Sequence, residues 1–172
     1  MRKNFTLLLF TALFTLVACD TNRNKPAKSE YATSIDNLIE QSQNFDADDI
    51  AQYLPGKWEE HSIIVYDDNW ETIEYIPKYK GDWNGSYGGS NGEYMFTADG
   101  EGTYSFTIEA PPGEEMVFAF DWQYDEANRK LILSGRWNYQ FYVSGFNDKY
   151  IVVDFYDATN KHNERNILKK AE

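Results

Sequence analysis

Residues 115–124 read EMVFAFDWQY. Met116, Phe118, Phe120, Trp122 and Tyr124 share one parity; Val117, Ala119, Asp121 and Gln123 share the other. Successive side chains of a strand point to opposite faces, whereas a helix would scatter these five large residues around its axis. The stretch therefore predicts a strand with an aromatic face turned to the core and a small or polar face turned away.

The same parity recurs on either side. Tyr104, Phe106 and Ile108 alternate with small polar residues, as do Leu131 and Leu133, and Tyr139, Phe141 and Val143. From Lys57 onward the period is two, punctuated by Gly, Asn and Asp. Strands are predicted near 57–66, 71–79, 93–98, 102–109, 115–124, 130–137, 139–146, 149–156 and 163–170. Hairpin turns fall at Asp99–Gly102, Asp125–Asn128 and Gly145–Asp148. No long helix interrupts the run, and no repeat of domain-building length is visible. Sequential strands with short links form an antiparallel meander. Eight or nine of them close most simply into an all-β, up-and-down barrel, which removes the exposed sheet edges.

Upstream the period changes. Residues 34–45 place Ile35, Leu38 and Ile39 on one helical face, and Asp46 or Asp48 caps a second short helix ending at Tyr53, before Pro55-Gly56. Residues 20–33, DTNRNKPAKSEYAT, are polar and aperiodic, and read as a tether. Before them, Arg2 and Lys3 precede an apolar run over 5–18, the length of a signal-peptide core. It ends in Leu16-Val17-Ala18-Cys19, the one cysteine of the chain. This arrangement resembles the bacterial lipoprotein signal. The resemblance implies cleavage before Cys19, acylation of that residue and anchoring in the bilayer; several acyl chains hold far better than one. The expected organisation is a signal peptide at 1–18, the lipidated cysteine, tether and short helix at 19–45, and a barrel domain at 46–172.

Cleavage would leave 154 of 172 residues, with 14 basic against 28 acidic side chains and a net charge of −14. That length suits one domain with its own core. Strong acidity argues against nucleic acid as a partner and against electrostatic docking on anionic lipid. An aromatic content of 17% argues for a folded body. With its cysteine acylated, the mature chain has no disulfide, so stability rests on packing.

At Leu54-Pro55-Gly56-Lys57-Trp58 a short helix, Gly-x-Trp and the first strand of a meander follow in order. This resembles the lipocalin family. With the leader, the chain is similar to bacterial lipocalin-like lipoproteins over about residues 46–172. The resemblance implies that Gly56 and Trp58 close the barrel floor and that Trp58 stacks on an arginine near the chain's end, here Arg165. Two features depart from the family: no second motif of the Thr-Asp-Tyr kind is placed, and no long C-terminal helix follows the last strand.

The inward aromatics Tyr104, Phe106, Phe118, Phe120, Trp122, Tyr139 and Phe141 are the candidate ligand-lining residues, if the interior is hollow rather than filled. Residues 79–94, YKGDWNGSYGGSNGEY, form a long loop carrying Trp83 and Tyr87, read as a lid, an aromatic surface platform or a simple insertion. His61 falls in the first strand and His162 in a turn; no spacing of His, Cys and Asp predicts a metal site, and no cofactor is expected. Asp67-Asp68 and Asp125-Glu126 are turn acids of the solvated kind, and no nucleophile elbow occurs. Catalysis is not expected.

The sequence thus predicts a lipocalin-like barrel preceded by a short helix, anchored in the cell envelope of a Gram-negative bacterium. Its leading function is non-enzymatic binding of a small apolar ligand. The alternative is a filled barrel acting outwardly as a protein or glycan interaction module. Asp20 directly after Cys19 resembles the inner-membrane retention signal of enterobacteria, but the outer membrane is the expected location.

Overall fold

A computed structural model describes residues 28–77, 92–108, 114–136, 138–158 and 160–172. Two helices precede nine described strands: α1 (Glu30–Ser42), α2 (Ala47–Tyr53), β1 (Gly56–Tyr66), β2 (Thr72–Pro77), β3 (Glu93–Phe96), β4 (Glu101–Ile108), β5 (Glu114–Asp125), β6 (Lys130–Gly135), β7 (Tyr139–Phe146), β8 (Tyr150–Asp157) and β9 (His162–Lys170). Every strand expected from the sequence is present within a few residues of its expected ends. Cys19, Trp83 and Tyr87 lie outside the described residues.

All strand pairings are antiparallel. The order β1-β3-β4-β5-β6-β7-β8-β9 closes on itself through β1–β9, which makes an eight-stranded barrel. The ninth strand, β2, shares an edge of β1 with β3. β3 pairs with Gly56–Glu59 and β2 with Ser62–Tyr66. One wall position is therefore filled by two successive strands.

A bulge in β1 lies between Glu60 and Ser62 opposite β9. One extra residue shifts the two-residue alternation. Before the bulge Trp58 and Glu60 face inward; after it Ile63 and Val65 do, while Ser62, Ile64 and Tyr66 turn outward to α1. A second bulge, between Val143 and Gly145 in β7, brings Gly145 under α1, where a Cβ would stand 3.0 Å from that of Ser42.

One end of the barrel is plugged. α2 drives Ile50 and Leu54 against Trp58, Phe146 and Ile151, and all five are buried. The core continues through Phe96, Leu131, Leu133, Phe141, Val143, Val153 and Leu168. α1 lies outside the barrel, with Ile35 and Ile39 buried against Ile64, Val152 and Ile167. It starts four residues earlier than periodicity suggests. Ser29 is the N-cap, accepting a hydrogen bond from the Ala32 N–H at 3.1 Å, and Glu30 suits the first turn. The expected tether is therefore helical from Glu30, and α1 belongs to the folded body. Among the described residues no helix is long and apolar enough to cross a membrane.

Candidate functional site

The floor of the barrel decides which end is open. Gly56 has φ +135°, a conformation side chains resist, and a Cβ there would also press the Lys170 side chain at 3.3 Å. Trp58 follows, fully buried, its indole N–H donating to the Leu54 carbonyl at 2.7 Å. The cation over its ring is Lys170, with Nζ 5.3 Å from the ring centroid. The same Nζ donates to the Tyr53 carbonyl at 3.0 Å. Arg165, the partner the resemblance implied, is elsewhere. Strand parity puts it on the outer face, where its guanidinium forks onto Asp154 at 2.6 and 2.8 Å and lies 5.6 Å from the Tyr66 ring. Burial lowers the Arg165 pKa, but Asp154 more than offsets this, so it ends above its ordinary value. The register explains the exchange: Lys170 is the β9 residue opposite Trp58.

Toward the other end, β3, β4 and β5 present a run of inner aromatic rings, and β7 presents a second beyond the leucines of β6. Tyr94 and Tyr104 lie 4.5 Å apart, Tyr104 and Phe106 5.7 Å, Phe106 and Phe118 5.8 Å. Phe120 and Trp122 pack on Phe96 nearer the floor, at 5.6 and 5.8 Å. Tyr139 stacks on Phe141 at 5.6 Å, and Phe141 meets Phe155 edge-on. All seven candidate lining residues thus face the interior, but they do not share one environment. Phe141 is buried; Phe120 and Trp122 are half-buried but pack on the buried core. Tyr104, Phe106 and Phe118 are also half-buried, and Tyr139 is 44% exposed.

The floor half is filled. Tyr94, Phe96, Leu131, Leu133, Phe141, Val153, Asn166 and Leu168 enclose about 10 Å³, room for a single water. The Asn166 side-chain oxygen is buried there with no hydrogen-bond partner among the described residues. Above it the interior turns polar. Glu60 accepts from the Tyr104 hydroxyl at 3.4 Å, and burial pushes the Tyr94 phenol well above its ordinary pKa.

At the open end a second polar group assembles. His162 is the first residue of β9, not a turn residue, and it pairs across the ladder with Asp157. Its Nε2 lies 2.6 Å from the Glu164 carboxylate, and both residues are buried. Asp157, His162 and Glu164 each offer a ligand atom, all within 4.8 Å of one another. Sequence spacing missed this trio because strand pairing, not a local motif, joins Asp157 to the other two. The usable signal was His-x-Glu, two residues of one parity on one strand.

On the outside, β3–β6 carry a shallow depression of about 400 Å³, lined by Met95, Thr103, Ala119, Asp121 and Ser134 among others.

No protein-family model matches the chain, and no curated protein matches it. Among solved structures it is similar to Japanin from Rhipicephalus appendiculatus bound to cholesterol, with 4% identity over 67% of this chain and 74% of that one and a TM-score of 0.43. It is also similar to a deswapped triple mutant of bovine odorant-binding protein, with 14% identity over 70% and 74% and a TM-score of 0.41.

Proposed function

We propose that this protein binds a small, largely apolar ligand in a shallow cup at the open end of its barrel, without transforming it. One observation carries the reading. Of the inner aromatics, Phe96 and Phe141 are buried near the floor, whereas Tyr104, Phe106, Phe118, Phe120 and Trp122 are half-buried and Tyr139 is exposed. A barrel filled throughout would bury these rings. Here a ligand would cover them, and each 100 Å² of apolar surface removed from water favours binding by about 2.5 kcal/mol before the costs of association. The filled floor sets the depth: the ligand stops at the level of Phe141 and Leu133.

The leader adds an address. Acylated Cys19 would tether the barrel to a membrane, in our reading the outer membrane of a Gram-negative envelope. The ten residues from Cys19 to Ser29 reach at most about 35 Å, and the acidic body would stay clear of anionic lipid. Cys19→Ser should move the protein from the detergent phase to the aqueous phase; unchanged partitioning would remove the anchor from the account.

Titration with an environment-sensitive naphthylamine dye tests the cup. Saturable binding should be lost in Phe106→Ser and Phe118→Ser and kept in Val117→Ser, which alters the outward face of the same strand. The reverse pattern would favour a second reading, for which the outer depression beside Met95 and Ala119 speaks: contact with a protein or glycan through the outer wall.

A further inference from the structure

We propose that Asp157, His162 and Glu164 form a binding site for a first-row divalent transition-metal ion of the zinc class at the open end of the barrel. Three placements converge. His162 and Glu164 are two residues apart on β9 and so share its inner face. Asp157 is the cross-strand partner of His162. Their ligand atoms lie within 4.8 Å of one another, and His162 and Glu164 are both buried.

The donor set selects the class of ion. One imidazole nitrogen and two carboxylates suit zinc, with three protein ligands and an open fourth position, at bond lengths of about 2.0–2.2 Å. Calcium asks for about six to eight oxygens and is not served by this trio. The divalent charge would balance the two carboxylates where water has little access. In the structure His162 Nε2 lies 2.6 Å from Glu164 Oε1, close enough for one cation to take both as ligands. Two further donors hold the Asp157 carboxylate in position. The Asn160 backbone N–H donates to Oδ1 at 3.2 Å, and its side-chain amide donates to Oδ2 at 2.7 Å.

The fold supplies its own control. Residues 125–129, DEANR, resemble residues 157–161, DATNK, in sequence. Asn128 donates to Asp125 at 3.2 and 2.7 Å, as Asn160 does to Asp157, and Arg129 and Lys161 both take positive φ. After the first turn the strand continues with Lys130 and Ile132; after the second it continues with His162 and Glu164. The turn therefore requires neither a histidine nor an acid at those places, and the trio is an addition to it.

The test is a Co²⁺ titration of the full chain in detergent, followed by visible d–d absorption and competed with Zn²⁺. The proposal predicts one saturable cobalt spectrum, displaced by zinc. His162→Ala should abolish it. Glu164→Gln and Asp157→Asn should each weaken it at least about tenfold, the cost that even outer-shell partners carry. Asp125→Asn should leave it unchanged. Thermal melting of each variant without metal separates loss of ligand from loss of fold: Glu164→Gln, nearly isosteric, should melt as a folded barrel and still bind weakly. No cobalt band, a band that survives His162→Ala, or equal loss in Asp125→Asn and Asp157→Asn would overturn the proposal.

Discussion

Trp58 shows how one residue joins two halves of the chain. Its ring is fully buried, its N–H satisfies the Leu54 carbonyl, and Lys170 covers its face. Trp58→Ala should cost about 3–5 kcal/mol in urea unfolding. Lys170→Ala should cost about 1 kcal/mol or less, because the ammonium is solvated and the cation–π contact is weak there. Arg165→Ala should cost more, about 2–4 kcal/mol, because it strands the buried Asp154. If Lys170→Ala proved the worse of the two, the division of labour described here would be wrong. His61 gives a pH dependence. Burial lowers its pKa below the ordinary 6.5, with Lys169 adding repulsion. The folded protein then binds fewer protons than the unfolded chain in this range. His61 therefore leaves stability intact above about pH 6.5 and subtracts from it as pH falls below that value. His61→Gln should flatten this part of the curve; an unchanged slope would assign the acid sensitivity to other groups. Gly-x-Trp was legible in the sequence, but which cation would meet the ring was not. Register decides that, and a bulge of one residue near His61 lies between the motif and the rest of the β1–β9 ladder.

The strands were legible because parity is a strong signal wherever one face is aromatic and the other small or charged, as in β5. Where the signal is local but depends on capping, as at Ser29, α1 begins earlier than periodicity alone suggests. That β2 and β3 share one edge of β1 could not be read from parity, since each half alternates correctly by itself. The split has a consequence for dynamics. β1 is paired along both edges, with β8 and β9 beyond it and α1 laid across them. β2 pairs only with β1 among the described strands, and its Ile73 is 63% exposed. Hydrogen exchange should find the amides of β1, β8 and β9 most protected and those of β2 opening first. Uniform protection across the sheet would contradict this ranking.

At the level of the whole molecule the barrel has a plug, a filled half and an end whose inner rings are half-buried to exposed. The all-β class and closed meander follow from short links and alternating strands. Whether such a barrel is filled or hollow could not follow, because inward aromatics look alike in sequence. Phe141 is buried and Tyr139, two residues along the same inner face, is 44% exposed. Only three-dimensional closure distinguishes them, through α2 and Trp58 at one end. The acidic and histidine side chains at the other end were invisible for the same reason, being joined across β8 and β9. The most direct test of the central claim is native mass spectrometry of the full chain in detergent, exposed to an extract of apolar small molecules and compared with the denatured chain. The account predicts added mass that is lost on denaturation and greatly reduced in the Phe106→Ser/Phe118→Ser double variant. A bare chain mass, or an adduct indifferent to those two rings, would contradict it and leave the inner wall as core alone.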